Sequence, residues 1–149
     1  MNRASRDPGY DGAMNLGLND RVAMISGGSR GIGRAIATSL AREGCHLAIC
    51  ARDAETLGRA AEEMRAEGAQ VLDFPIDITE DDAAERFVER TLEELRRIDV
   101  VVNNVGGNRR KPFAETTDQD WRELIELNFS SHVRLSRAAI PNMKRRGNG

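Results

Sequence analysis

Apolar residues along this chain recur with two different periods, and the switches between them mark its elements. A short apolar run, Val22-Ala23-Met24-Ile25, reads as a buried strand. Glycines at 27, 28, 31 and 33 break the run, after which Ile32, Ala35, Ile36 and Leu40 follow helical spacing to about Glu43, with Gly44 as the stop. A second strand is expected at about His46 to Ala51. Asp53 then stands as N-cap of a helix carrying Leu57, Ala60, Ala61 and Met64 and closed by Gly68. A third strand follows at about Gln70 to Phe74. Thr79 is expected to cap the next helix, with Asp82 in its third position and Ala84, Phe87, Val88, Thr91, Leu92 and Leu95 at helical spacing. A fourth strand, about Asp99 to Asn103, reads as apolar throughout, as a strand covered on both faces should be. Thr116-Thr117-Asp118-Gln119-Asp120-Trp121 is a strong helix start. Helical pattern then runs through Leu127 and again from about Phe129 to Arg146, before a turn at Gly147-Asn148-Gly149.

Strands alternating with helices over short connections imply a parallel sheet with right-handed crossovers, an α/β doubly wound fold. Residues 1 to 17 are polar and aperiodic and read as a disordered arm, which leaves residues 18 to 149 as the folded domain; Met14, just before the ordered pattern, is a candidate true start. With 149 residues, 40% hydrophobic and 31% charged, the chain fits one globular domain burying about two thirds of its unfolded surface. The longest apolar runs, such as Ile98-Asp99-Val100-Val101-Val102, are too short to span a bilayer. A net charge of −2 gives no reason to expect a nucleic-acid partner. Cys45 and Cys50 form neither a C-x-x-C pair nor a metal-ligand spacing with His46 and His132, so they read as small buried residues in a reducing compartment. No metal site is expected, and without a cationic-then-apolar leader pattern the expected location is the cytoplasm.

Candidate chemistry concentrates at Ser26-Gly27-Gly28-Ser29-Arg30-Gly31-Ile32-Gly33, where a strand passes through a glycine turn into a helix. A helix N-terminus offers unpaired N–H groups and partial positive charge, and glycines let backbone approach a pyrophosphate closely. The spacing is G-x-x-x-G-x-G, from Gly27, Gly31 and Gly33, and no register gives G-x-G-x-x-G. Asp77 ends a strand at the carboxyl edge of the sheet, where open α/β folds bind ligands, or else serves only the turn into the next helix. Asn103 and Asn104 are turn formers by type, but Gly106 and Gly107 beside them suggest a backbone that something approaches. Asn128 in mid-helix is unfavourable because its amide competes for backbone bonds. A local break there would expose a carbonyl able to hold a water.

Taken in this order, the four segments resemble the short-chain dehydrogenase/reductase family, in its classical branch, from about Leu18 to the C-terminus. The glycine turn is similar to the family's T-G-x-x-x-G-x-G, with Ser26 for Thr. Asp77, in Pro75-Ile76-Asp77-Ile78-Thr79, is similar to the aspartate that holds the adenine amino group. Asn103-Asn104-Val105-Gly106 resembles N-N-A-G, with Val105 for Ala, and Asn128 in Leu127-Asn128-Phe129 resembles the structural-catalytic asparagine. The resemblance implies a Rossmann-like sheet, incomplete at four strands and the helices up to the long central one. It also implies a nicotinamide dinucleotide held by Gly27, Ser29, Arg30, Gly31, Ile32, Gly33, Arg52, Asp77, Ile78, Asn104, Val105 and Gly106, and hydride transfer to or from a small-molecule carbonyl or alcohol. The family's acidic residue at the end of the second strand aligns with Ala51, followed by Arg52. Arg52 and Arg30 facing a 2′-phosphate would favour NADP(H); the alternative makes Asp53 the ribose acid and the cofactor NAD(H).

Family chemistry needs a tyrosine, a lysine four residues on and an upstream serine. The one tyrosine is Tyr10, with no lysine at that spacing, and Asn128 alone matches the catalytic set. The chain therefore reads as the N-terminal, cofactor-binding half of an NADP-dependent oxidoreductase, inactive and poorly soluble or loosely folded alone because its fourth strand is left as an open edge. The resemblance implies a homodimer or homotetramer for the complete protein. The other reading is a genuine short NADP-binding protein without turnover. Asn108-Arg109-Arg110-Lys111 is either an attractor for an anionic acyl carrier or coenzyme A ester, as in ketoacyl reductases of the family, or a solvated loop. Trp121 is expected as a helix-packing anchor.

Overall fold

The structure, a computed structural model, describes residues 16–147 and Gly149, so the expectations for the arm, with Tyr10 and Met14, fall outside the described residues except at Leu16 and Gly17. Among the described residues four parallel strands are ordered β3-β2-β1-β4. They are β1 (Val22–Ser26), β2 (His46–Ala51), β3 (Val71–Pro75) and β4 (Val100–Val102). Helices α1 (Gly31–Arg42), α2 (Ala54–Ala66) and α3 (Ala83–Leu95) connect them. After β4, α4 (Asp118–Ile125) passes through a π-helical turn (Glu126–Ser130) into α5 (Ser131–Arg146). Because β2 and β3 lie to one side of β1 and β4 to the other, the strand order reverses at the carboxyl ends of β1 and β4, and a doubly wound sheet opens its ligand crevice there. No helix among the described residues is long and apolar enough to cross a membrane.

Period-2 alternation divides the core into two layers. Ala23, Ile25, Leu47 and Ile49 face α1 and α2 with Ala37, Leu57, Ala60 and Met64. Met24, Ala48 and Cys50 face the opposite layer, where Phe87 of α3 and Leu135 of α5 are fully buried. Phe87 also stacks on Phe74 at a centroid distance of 6.1 Å. Removing a buried ring of this size costs about 3–5 kcal/mol. Strands β1 and β2 are buried along nearly their whole length, as the apolar runs require.

Four sequence expectations change. The buried face of α1 is Gly33, Ala37 and Ala41, whereas Ile32 and Ala35 are exposed. Helix and strand approach so closely here that only small residues fit, and the bulkier Ile32 is turned to the outside. Thr79 does not cap α3, which begins at Ala83 after Asp82. Its N–H and hydroxyl instead donate to Asp77 Oδ1, at 3.0 and 2.7 Å, so the hydroxyl serves the preceding turn and not the helix. Strand β4 is three residues long and only partly buried, because it pairs with β1 alone among the described residues. Trp121 is half exposed and meets Phe113 edge-on outside the core, with its Nε1 donating to the Thr116 hydroxyl. The expected start of α4 is confirmed: Thr117 and Asp120 form a capping box.

Candidate functional site: a cleft at the carboxyl edge of the sheet

The crevice begins with the turn after β1. Gly27 and Gly31 hold φ of +73° and +57°, the left-handed region that a residue with a Cβ avoids. The N–H groups of Gly27 and Gly28 donate to the Cys50 carbonyl at 2.9 and 3.1 Å, which folds the turn over the end of β2. A Cβ on Gly33 would lie 2.2 Å from the Gly27 carbonyl oxygen, so glycine is required where α1 crosses the turn. A Cβ on Gly31 would meet nothing within 4 Å, so that face of the turn is open. Arg30, the residue before α1, makes no side-chain cap, and the helix has no acid in its first turn. Its N-terminal field is therefore not neutralised locally.

Ser26 clasps the two sides of the switch point together. Its buried hydroxyl accepts from the N–H of Asn104 at 3.1 Å and of Val105 at 3.2 Å, and donates to the Val102 carbonyl. Asn104 Nδ2 returns donors to the carbonyls of Ser26 and Gly27, at 3.0 and 3.3 Å. This serine was legible only as a substitute for threonine in the glycine motif. Its role becomes visible once β1 and β4 are neighbours.

Between these elements lies a cleft of about 400 Å³. Gly27, Ser29, Arg30, Ile32, Arg52, Asp77, Ile78, Asn104, Val105 and Gly106 line it together. Gly31 and Gly33 belong to the same turn but do not line the cleft. Asp53, the alternative ribose acid, and Ala51, at the family's acidic position, also line it, together with Cys50, Thr56, Ile76 and Leu127, which were not expected as site residues. Burial pushes the Cys50 thiol up to about 12, which makes it an inert wall. Arg30 and Arg52 are exposed at the rim, and Arg52 lies 3.9 Å from Asp77 Oδ2. Asp53 accepts from the Thr56 N–H at 2.8 Å. The Thr56 hydroxyl and N–H together hold its carboxyl below the usual carboxylate range.

The far wall comes from the π-turn. Asn128 Oδ1 accepts from Gly107 N–H at 3.0 Å, while its Nδ2 donates to the carbonyls of Gly107 and Leu124. The helix break anticipated at Asn128 is this turn. One helical turn on, His132 Nε2 is 2.7 Å from the Val105 carbonyl oxygen, which accepts a hydrogen bond and cannot donate one. The nitrogen must therefore carry the proton. The basic run after Gly107 is tied down: Arg109 pairs with Glu123 and Asp120, and Lys111 with Asp120. Two of its three cations thus already face carboxylates, which leaves less charge to draw an anionic carrier than the sequence suggests.

A family model describing short chain dehydrogenases matches residues 21–149. The chain belongs to the short-chain dehydrogenase family. It is 36% identical over 136 residues to the uncharacterized oxidoreductase YvrD of Bacillus subtilis, covering 91% of this chain and 51% of that protein. Among solved structures, L-sorbose reductase from Gluconobacter frateurii, complexed with NADPH and L-sorbose, superposes with a TM-score of 0.87 at 34% identity, over 91% of this chain and 52% of that one. An NAD+-bound xylitol dehydrogenase shares the fold with a TM-score of 0.84 at 24% identity, over 89% of this chain and 51% of the other. This short-chain dehydrogenase chain therefore spans about half the length of these relatives. One architecture serves both cofactors, so the choice between them has to come from individual side chains.

Proposed function

We propose that residues 18 to 149 bind NADP(H) across this cleft and form the cofactor-binding half of an oxidoreductase acting on a small-molecule carbonyl or alcohol. One observation carries the reading: the open, uncapped start of α1 shares a single cleft with Asp77 and with two exposed guanidiniums. The residues fit the group. Gly27, Ser29 and Ile32 would take the diphosphate, with Gly31 leaving its side of the turn open, Gly33 letting α1 pack on the turn, and α1 supplying its N-terminal field. Asp77 would accept from the adenine amino group, with Ile78 alongside. Asn104, Val105 and Gly106 would lie along the ribose and nicotinamide side. When bound, the nicotinamide supplies the hydride donor or acceptor. Asn128, its amide committed to Gly107 and Leu124, holds the wall of the cleft in place.

Arg52 and Arg30 support the phosphorylated cofactor, because a guanidinium suits a 2′-phosphate, Arg52 makes only a long 3.9 Å pair with Asp77, and Arg30 makes no ion pair among the described residues. Asp53 is occupied as the cap of α2, which argues against its service as a ribose acid. Family membership supports a homodimeric or homotetrameric complete protein, and the free buried cysteines suit a cytoplasmic location. A charge-assisted contact to the 2′-phosphate is worth about 1.5–3 kcal/mol. NADPH should accordingly bind at least about tenfold more tightly than NADH, and Arg52→Asp should remove or invert the preference. Equal binding, or tighter NADH binding by the unmutated chain, would overturn the assignment.

A further inference from the structure

Arg134 lies in the first turn of α5, just past the π-turn, and belongs to no motif. Its guanidinium reaches two elements at once. Nη1 donates to Glu126 Oε2 at 3.3 Å, and Nη2 donates both to Glu126 Oε1 and, at 3.1 Å, to the carbonyl of Thr79. Its side chain is only 16% exposed. Nε is buried with no acceptor among the described residues. A largely buried guanidinium whose Nε is unmatched is a poor source of stability, so its value is better sought in the geometry that it fixes.

That geometry leads to the cleft. Thr79 is held at both of its backbone polar groups, its carbonyl by Arg134 and its N–H by Asp77 Oδ1. With Oδ1 also accepting the Thr79 hydroxyl, Oδ2 is the less engaged oxygen, facing the cleft with Arg52 3.9 Å away. Glu126 opens the π-turn, and the extra residue of that turn rotates all of α5 by about 100° relative to an unbroken helix. The π-turn thus bears on the direction in which Arg134 points, and Arg134 reaches the carbonyl of the residue that closes the Asp77 turn.

We propose that Arg134 is a positioning residue for nucleobase recognition: through the Thr79 carbonyl it aims the Asp77 carboxylate at the adenine amino group. This rests on the dinucleotide reading of the cleft. The test titrates NADPH and its hypoxanthine analogue, which carries a carbonyl oxygen in place of that amino group, against the native chain and against Arg134→Gln, Asp77→Ala and the double variant, with thermal melts alongside. The native chain should prefer NADPH about tenfold. Arg134→Gln should lower the preference to about twofold with the analogue's affinity unchanged, and should add nothing to Asp77→Ala. Arg134→Lys keeps the charge but lacks the fork that holds Glu126 and Thr79 together, so it should lose at least half of the preference even if Arg134→Gln fails to melt cooperatively. Native discrimination retained in Arg134→Lys, or equal weakening of both ligands in Arg134→Gln, would overturn the proposal. Binding of neither dinucleotide by a folded native chain would overturn the cofactor reading itself, and native indifference to the amino group would overturn the role of Asp77 and that of Arg134 with it.

Discussion

The β1–α1 turn and the π-turn between α4 and α5 stand on opposite sides of one cleft and are built by different means. The first is steric: Gly27 and Gly31 occupy left-handed backbone, and Gly33 lies where any side chain would strike the Gly27 carbonyl. The second is polar: Asn128, His132 and Arg134 donate to the carbonyls of Gly107, Val105 and Thr79 from one helical segment. A steric device tolerates almost no substitution, because filled volume cannot be renegotiated. A set of exposed or half-exposed hydrogen bonds gives way in steps of about 1 kcal/mol.

The comparison is tested most severely at Gly33. Alanine there should cost about 3 kcal/mol, lower the melting temperature by roughly 10 °C and abolish dinucleotide binding, all readable from a thermal melt and a titration. Next in size is a paired measurement across the cleft. Ser26→Ala removes the one acceptor shared by the half-buried N–H groups of Asn104 and Val105 and should cost about 2 kcal/mol. Asn128→Ala breaks bonds at an exposed position and should cost about 1 kcal/mol while speeding amide exchange at Gly107. Denaturant unfolding of both variants checks the order, and a larger loss for Asn128→Ala would break the contrast.

The smallest effect is a pH effect at the start of α4. Its bond to Lys111, followed by those to Thr117, holds the Asp120 carboxyl well below the usual carboxylate range. The folded value lies below the unfolded one, so this contribution is present at neutral pH and is lost as pH falls from about 4 through the folded value. Asp120→Asn should therefore flatten the acid limb of a stability-versus-pH curve. An unchanged limb would place acid sensitivity elsewhere, for instance at Asp99. Burial opposes ionisation at Asp99, but Arg97, Val22 N–H and Arg21 outweigh it and lower its value.

How far each side of the cleft could be read from sequence follows from the same contrast. Backbone constraint leaves a trace in residue type, so the glycine turn, the buried strands and the Thr117 cap were legible, and Asn128 betrayed a break because asparagine is out of place in a helix. The face of α1 was misread because close packing selects alanine and glycine over the more hydrophobic Ile32. Thr79 was misread because Asp77, two residues earlier, competes for its donors. His132 and Arg134 left no trace, since their partners are carbonyls of distant loops and any residue type supplies a carbonyl. Leu127 entered the cleft wall only through the tertiary placement of the π-turn.

The most direct test of the central claim is a crystal structure of the chain grown with NADPH. The diphosphate should lie against the N–H groups at the start of α1, with the 2′-phosphate between Arg30 and Arg52 and the adenine amino group at Asp77. A dinucleotide bound away from this turn, or one with its 2′-phosphate turned from both arginines, would contradict the account.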